Sequence, residues 1–396
     1  MAGAFPPRRI LVQRPQPDYA GGGVTHAERL TEGLQRLGVD ARLHLGPASP
    51  DTLSSVDVVH LFHTPKRAEL VTMLRAARVK GARIALTTIY WRDAPLQAYA
   101  RSLGYGAPDT ARARLQDALD RARLAFLVHS ADVLFPASRT ESAFLQQDFG
   151  VTPERCLPVP PGVEARFSDA RPDAFVKQYG LRDFLFCPGA IGPVKNQLTL
   201  LEALRDAPRP LVLAGPAAHP DYTLRCRRAA GASVRMLDTL PADLMPSAYA
   251  AAAVTVVPSW RETFSLVTLE ALAAGCPVVL TRYAGAQDTL AGAVTPCDPA
   301  DAASIRSAVE TALADTVPEA IRQRVLREFS WDRIARQTAD AYAQMAHLEP
   351  RPLDEARLAA LDQAAALDAA PGASNEALEA ALVALERAGP LSPPVG

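Results

Sequence analysis

Short apolar runs alternate with amphipathic stretches along most of the chain. In the first half the runs are "RILVQ", "DARLHL", "DVVHLF", "RIALTTIY", "DVLFPAS" and "CLPVP". In the second half they are "FLFCPG", "PLVLAG", "SVRMLD", "AVTVVPS" and "PVVLTR". Strands this continuously apolar, separated by helical patterns, read as parallel sheets covered on both faces. The alternation occurs twice, which predicts an α/β chain of two doubly wound Rossmann-like domains. The polar stretch "SDARPDAF", Ser168 to Phe175, separates the two sets of strands and places the domains at residues 1–172 and 173–346. A helical pattern from Trp331 to Met345 closes the second set. The segment 347–396 is rich in Ala and Leu, and from Glu349 onward it holds eight acidic and three basic residues. It predicts one or two helices and a disordered end.

Composition narrows the function classes. The chain has 396 residues, 48% hydrophobic and 21% charged, with 42 basic and 43 acidic residues and a net charge of −1. This is ordinary for a soluble globular protein and lacks the basic excess of a nucleic-acid binder. No run of about 18 apolar residues predicts a membrane span, and the N-terminus does not read as a signal peptide. A cytoplasmic protein is expected. The five cysteines, at 156, 187, 226, 276 and 297, are widely spaced and form no C-x-x-C pair, which predicts buried free thiols rather than a zinc site.

Glycines follow the first strand in "YAGGGVTHAERL", with Gly21, Gly22 and Gly23 ahead of an amphipathic helix. Such a turn lets backbone approach a ligand, and the helix N-terminus offers amides to an anion. It reads equally well as a plain strand–helix turn. The triplet is not the spaced dinucleotide fingerprint, and no acidic partner stands at the end of the next strand.

The richest stretch is "PSWRETFSLVTLEALAAGCPVV", Pro258 to Val279. A buried strand leads into a helix starting between Phe264 and Leu266, which Gly275 and Pro277 then stop. The helix amides face the C-terminal edge of the sheet, where they can hold a diphosphate. Glu270 lies roughly 8 Å into the helix, within reach of a ribose. Glu262, in the preceding loop, can reach hydroxyls on the other side of the phosphates. Either glutamate alone reads as a solvated or capping residue; the spacing of the pair suits a nucleotide-sugar.

This stretch resembles the signature of retaining glycosyltransferases of family four, a glutamate, seven residues and a second glutamate on a GT-B fold. The resemblance implies two domains facing a central cleft. It implies that Glu270 binds the ribose, that Glu262 contacts the donor sugar, and that backbone around Thr263, Phe264, Ser265 and Leu266 meets the phosphates. "CPGAIGPVKNQLTLLEAL" is similar to the segment whose lysine contacts the diphosphate, here Lys195, after Gly189. "VPPGVEARF", the glycine loop with Gly22 and Gly23, and "FSWDRIARQTADAY" agree in order and spacing, so the resemblance covers about residues 8 to 346. It further implies a nucleoside-diphosphate-sugar as co-substrate, a sugar, lipid-linked or small-molecule acceptor, retention of configuration, and no metal.

The pattern is broken in places. Ala190 stands where the family has an arginine, and Pro161-Gly162 replaces Asn-Gly. Arg261 or Arg282 is the candidate replacement cation. "TTIYWRD", Thr87 to Asp93, lacks the histidine of some relatives; Tyr90 and Trp91 there read as an acceptor wall or as core aromatics. Of His60 and His63, His63 at the strand end is the better candidate for the cleft; His26, in the first turn of the helix after the glycine loop, is a further candidate to face it. Cations from Lys66 to Arg83, with those of "ARARLQDALDRAR", form either a solvated helix face or a basic surface for a polyanionic or lipid-linked acceptor, which leaves peripheral membrane contact open. Base selection is expected near Met236 to Leu240. The competing readings are a non-catalytic nucleotide-sugar-binding or scaffold protein, a dehydrogenase resting on the glycine loop alone, and an epimerase or phosphorylase on the same fold.

Overall fold

The structure is a computed structural model that describes residues 9–16, 21–105 and 110–387. The expected disorder at the C-terminal end falls outside the described residues.

Two all-parallel sheets form. The first holds β1 (Ile10–Arg14), β2 (Ala41–Leu45), β3 (Val58–Phe62), β4 (Arg83–Thr87) and β5 (Val133–Phe135) in the order β2-β1-β3-β4-β5. The second holds β6 (Phe184–Pro188), β7 (Leu211–Ala214), β8 (Val234–Leu237), β9 (Ala252–Val257), β10 (Val278–Thr281) and β11 (Thr295–Cys297) in the order β11-β10-β9-β6-β7-β8.

The period of two in each strand sorts its side chains between two covered faces. Leu11, Val59, Leu61, Ile84 and Leu86 pack under the helices Arg67–Val79 and Ala111–Ser130. Ile10, Val12, Val58 and Phe62 pack on the opposite face, under the helix Gly22–Arg36. In the second sheet Phe184 and Phe186 face one cluster, and Leu185 and Cys187 the other. All five cysteines are buried free thiols, and burial pushes Cys187 up to about 12.

The helix Trp331–Met345 follows the second sheet in sequence but buries Trp331, Ile334, Tyr342 and Met345 against Ile10 and Val12 of the first. The final two helices, Glu355–Ala369 and Asn375–Arg387, also return to the first sheet, where Leu358, Leu361, Leu378 and Leu385 join the cluster of Leu115 and Leu119.

Two strand expectations are corrected. "CLPVP" is not a strand. Cys156 makes an isolated bridge to Leu134, and only Leu157 N and Val159 N donate to the neighbouring backbone, at 2.9 Å each. Pro158 and Pro160 have no N–H to extend the ladder. Conversely β11 was not foreseen. It has three residues with Pro296 at its centre, which an edge position tolerates.

Candidate functional site

In each sheet the strand order reverses once, between β1 and β3 and between β6 and β9. Crevices at such reversals, beyond the C-terminal strand ends, are where open α/β sheets bind ligands. The loops after β6 and β9 carry Gly189, Lys195, Glu262 and the Thr263–Leu266 turn; Gly22 and Gly23 open the helix that follows β1, and the loop after β3 carries His63.

Beyond β6 the chain turns at Gly189, whose φ of 138° suits a residue without Cβ. One turn of 3-10 helix, Pro193–Lys195, presents the lysine and ends at Asn196 with φ 59°. Asn tolerates that left-handed backbone. Fully buried, its Nδ2 donates to the carbonyls of Pro258 (3.2 Å) and Pro299 (2.8 Å), which joins the loops after β6, β9 and β11. Lys195 Nζ reaches Glu262 Oε1 at 2.5 Å, and Ser259 Oγ donates to the same oxygen at 2.8 Å. Glu262 is itself fixed by backbone: its N–H donates to Tyr283 O at 3.0 Å, and its carbonyl accepts from Gly285 N at 2.9 Å. A Cβ on Gly285 would collide with Ser138 Oγ and Thr263 O, so the two sheets' loops meet there only because it is glycine.

The helix Leu266–Ala273 starts where the sequence places it. Its N-cap Ser265 has φ 101°, and its Oγ accepts from Thr268 N at 3.3 Å. Phe264 is buried against Phe329, so only its backbone is offered to a ligand. Leu266 crosses the cleft to the first sheet's core, and a Cβ on Gly22 would sit 3.1 Å from its Cδ1. Gly23 faces Arg14, the last residue of β1. Glu270 accepts a 2.8 Å hydrogen bond from Tyr249, and burial pushes its carboxyl up to about 7, with that hydrogen bond and then Arg166 pulling the other way.

Other candidates are held differently. His63 is buried; its Nε2 accepts from Arg67 Nε at 3.1 Å while Nδ1 faces Ile89 O at 3.1 Å. Burial, then the Arg67 charge, lowers it to about 3, so it is neutral. His60 is structural, sandwiched between Tyr342 and Thr87 at 2.7 Å each. His26 packs between Phe62 and Trp331. Tyr90 donates to Asp148 at 2.7 Å, and buried Trp91 meets Phe144. Both candidate replacement cations are paired, Arg261 with Asp93 across the cleft at 2.5 Å and Arg282 with Asp298 at 3.1 Å.

Tyr249, Ser259, Asn196 and Asp93 were missed in the sequence. Asn196 beside Lys195 was the only one with a local signal. Among the described residues no group of three or more His, Cys, Asp or Glu is arranged to hold a metal ion, and no helix is long and apolar enough to cross a membrane.

This architecture, two Rossmann-like domains with parallel sheets facing a cleft and further C-terminal helices, is the GT-B fold. It is shared with sucrose-phosphate synthase from Thermosynechococcus elongatus (TM-score 0.66, 20% identity, covering 86% of this chain and 99% of that one). It is shared also with Anabaena HepE, solved in complex with UDP-glucose (TM-score 0.66, 16% identity, 84% and 99%). In sequence, residues 182–315 match the family described as glycosyl transferases group 1. The chain is similar to the D-inositol 3-phosphate glycosyltransferase of Salinispora tropica, 31% identical over 252 residues, 55% of this chain and 52% of that protein. The chain thus spans about half the length of the curated relatives it matches.

Proposed function

We propose that the protein is a retaining glycosyltransferase that moves a sugar from a nucleoside-diphosphate-sugar to an acceptor hydroxyl, without a metal. The observation that carries the reading is the Lys195–Glu262 contact of 2.5 Å at the β6/β9 reversal, beside the N-terminus of the helix Leu266–Ala273. The second sheet's loops, within residues 173–346, hold the donor; the loops of residues 1–172 face the acceptor. The diphosphate lies on the helix N-terminus with Lys195 against it, Glu262 turns to the sugar's hydroxyls, and Glu270 takes the ribose. Gly22, Gly23 and neutral His63 line the acceptor side. The bond from the anomeric carbon to the phosphate oxygen breaks as the bond to the acceptor oxygen forms on the same face. The acceptor's proton passes to the departing phosphate. Lys195 and the amides stabilise the charge left there.

Ala190 and the engaged Arg261 and Arg282 favour a second reading, a nucleotide-sugar-binding protein without turnover. Calorimetric titration with UDP, GDP and ADP, with Glu270→Ala as control, tests the shared donor site. One nucleotide binds and the variant weakens it. Screening sugar donors of that base then separates the two readings. Equal binding by Glu270→Ala overturns both.

A further inference from the structure

A crevice of about 690 Å³ opens beside the β6/β9 reversal, over the C-terminal ends of β9, β10 and β11. Its floor and one wall belong to the second sheet's loops; the other wall is the helix Ala94–Ser102 from the first. Three aromatic residues line it, Tyr99, Trp260 and Tyr283, with the Tyr99 and Trp260 rings 4.9 Å apart. The hydroxyls of Ser102 and Thr199 add short polar groups, and the exposed carboxylates of Glu202 and Asp301 stand at the rim. Trp260 is only 8% exposed, so the half-buried Tyr99 and Tyr283 supply most of the accessible ring surface.

Aromatic faces offer stacking to the C–H faces of pyranose rings, while hydroxyls and carboxylates match their hydroxyl groups. Two rim carboxylates disfavour an anionic occupant and favour a neutral or amino sugar. We propose that this crevice is a saccharide-binding site distinct from the Lys195–Glu262–Glu270 site, taking two or three neutral or amino sugar units. It adjoins that site through Trp260 and through Tyr283, whose carbonyl accepts from Glu262 N at 3.0 Å. The binding itself does not depend on sugar transfer or on a nucleotide.

Calorimetry on the full chain tests this, with maltotriose, cellotriose, tri-N-acetylchitotriose and chitosan trimer as probes and trigalacturonate as the anionic control. At least one of the first four binds saturably, with trigalacturonate about tenfold weaker or more. Ala98→Trp, on the exposed face of the helix wall, abolishes saccharide binding and leaves the UDP, GDP and ADP titrations unchanged. Glu202→Arg, also at an exposed position, shifts the preference toward trigalacturonate. The proposal is overturned if none of the four binds, if a nucleotide displaces the saccharide, or if binding survives both variants unaltered. Thermal melts of both variants establish that they are folded.

Discussion

At the scale of single residues, Glu270 couples burial to ligand binding. Its carboxyl is raised from an ordinary 4.5 to about 7, because burial disfavours the charged form. The neutral form is therefore the stable one in the ligand-free fold, so its contribution is fully present below pH 4.5 and is lost as pH rises to about 7. The full swing is at most about 3 kcal/mol. Ribose hydroxyls need an acceptor, so the charged form binds better. Nucleotide affinity should rise from about pH 6 to 8, and the rise should be smaller in Glu270→Gln, where only the terminal phosphate still titrates; the variant binds about tenfold more weakly above pH 7. Calorimetry across that range decides it, and an unchanged pH profile in the variant removes Glu270 from the site. Lys195 makes a different prediction. A cation placed for a leaving phosphate acts mainly on the transition state, so Lys195→Ala should lower kcat by about 100-fold while changing nucleotide affinity far less. Intact turnover in that variant would show that the lysine only steadies Glu262.

Among elements, the loop-to-helix junction at Ser265 sets two effects against each other. Its φ of 101° is unfavourable for a residue with a Cβ, while its Oγ caps Thr268 N. Ser265→Ala keeps the strain and loses the cap, at about 1 kcal/mol. Ser265→Gly loses the cap and relieves about 1 kcal/mol or more of strain. Melting temperatures should therefore fall in the order Gly at or above Ser, then Ala; a Gly variant below Ala refutes the strain argument. The helix start itself was legible, because an apolar strand, a polar turn and a Gly-Cys-Pro stop are local signals. So were ten of the strands, most with continuous apolar runs and the edge strands β2 and β8 interrupted by Arg42, His44 and Arg235. What sequence could not supply was pairing across distance. Nothing in "PSAYAA" marks Tyr249 as the partner of Glu270, 21 residues away, or Asp93 as the partner of Arg261, 168 away. "CLPVP" misled because its apolar content resembles a strand while its prolines withhold the donors a ladder needs.

For the whole molecule, the last two helices return the C-terminal segment to the helices that cover the first sheet. Their acidic residues meet the basic helices of the first sheet: Asp362 lies 3.2 Å from Arg75, Asp368 is 3.6 Å from Arg112, and Glu379 pairs with Arg114. Arg78 and Arg83 share buried Asp132 at 3.1 Å each. Arg75, Arg112 and Arg114 of the basic stretches are thus met by acids of the final segment, while Arg67, Arg78, Arg83 and Arg121 pair with Asp120, Asp132 and Asp117 of the first domain. The surface pairs contribute little individually. The apolar contact is larger: burying Leu358, Leu361, Leu378 and Leu385 contributes about 2 kcal/mol each, together comparable to the 5–15 kcal/mol of a whole domain. A chain ending at Glu349 should therefore lose the cooperative melt of its first sheet, and Leu361→Ala should cost about 2–5 kcal/mol in a denaturant titration. Truncation also uncovers Arg75, Arg112 and Arg114, so whatever folded chain survives should bind anionic lipid vesicles more tightly than the full chain does, and lose that binding in salt. A truncated chain that melts within a few degrees of the full one would make the segment an ornament on the first sheet, and the leucine count an overestimate of what it stabilises.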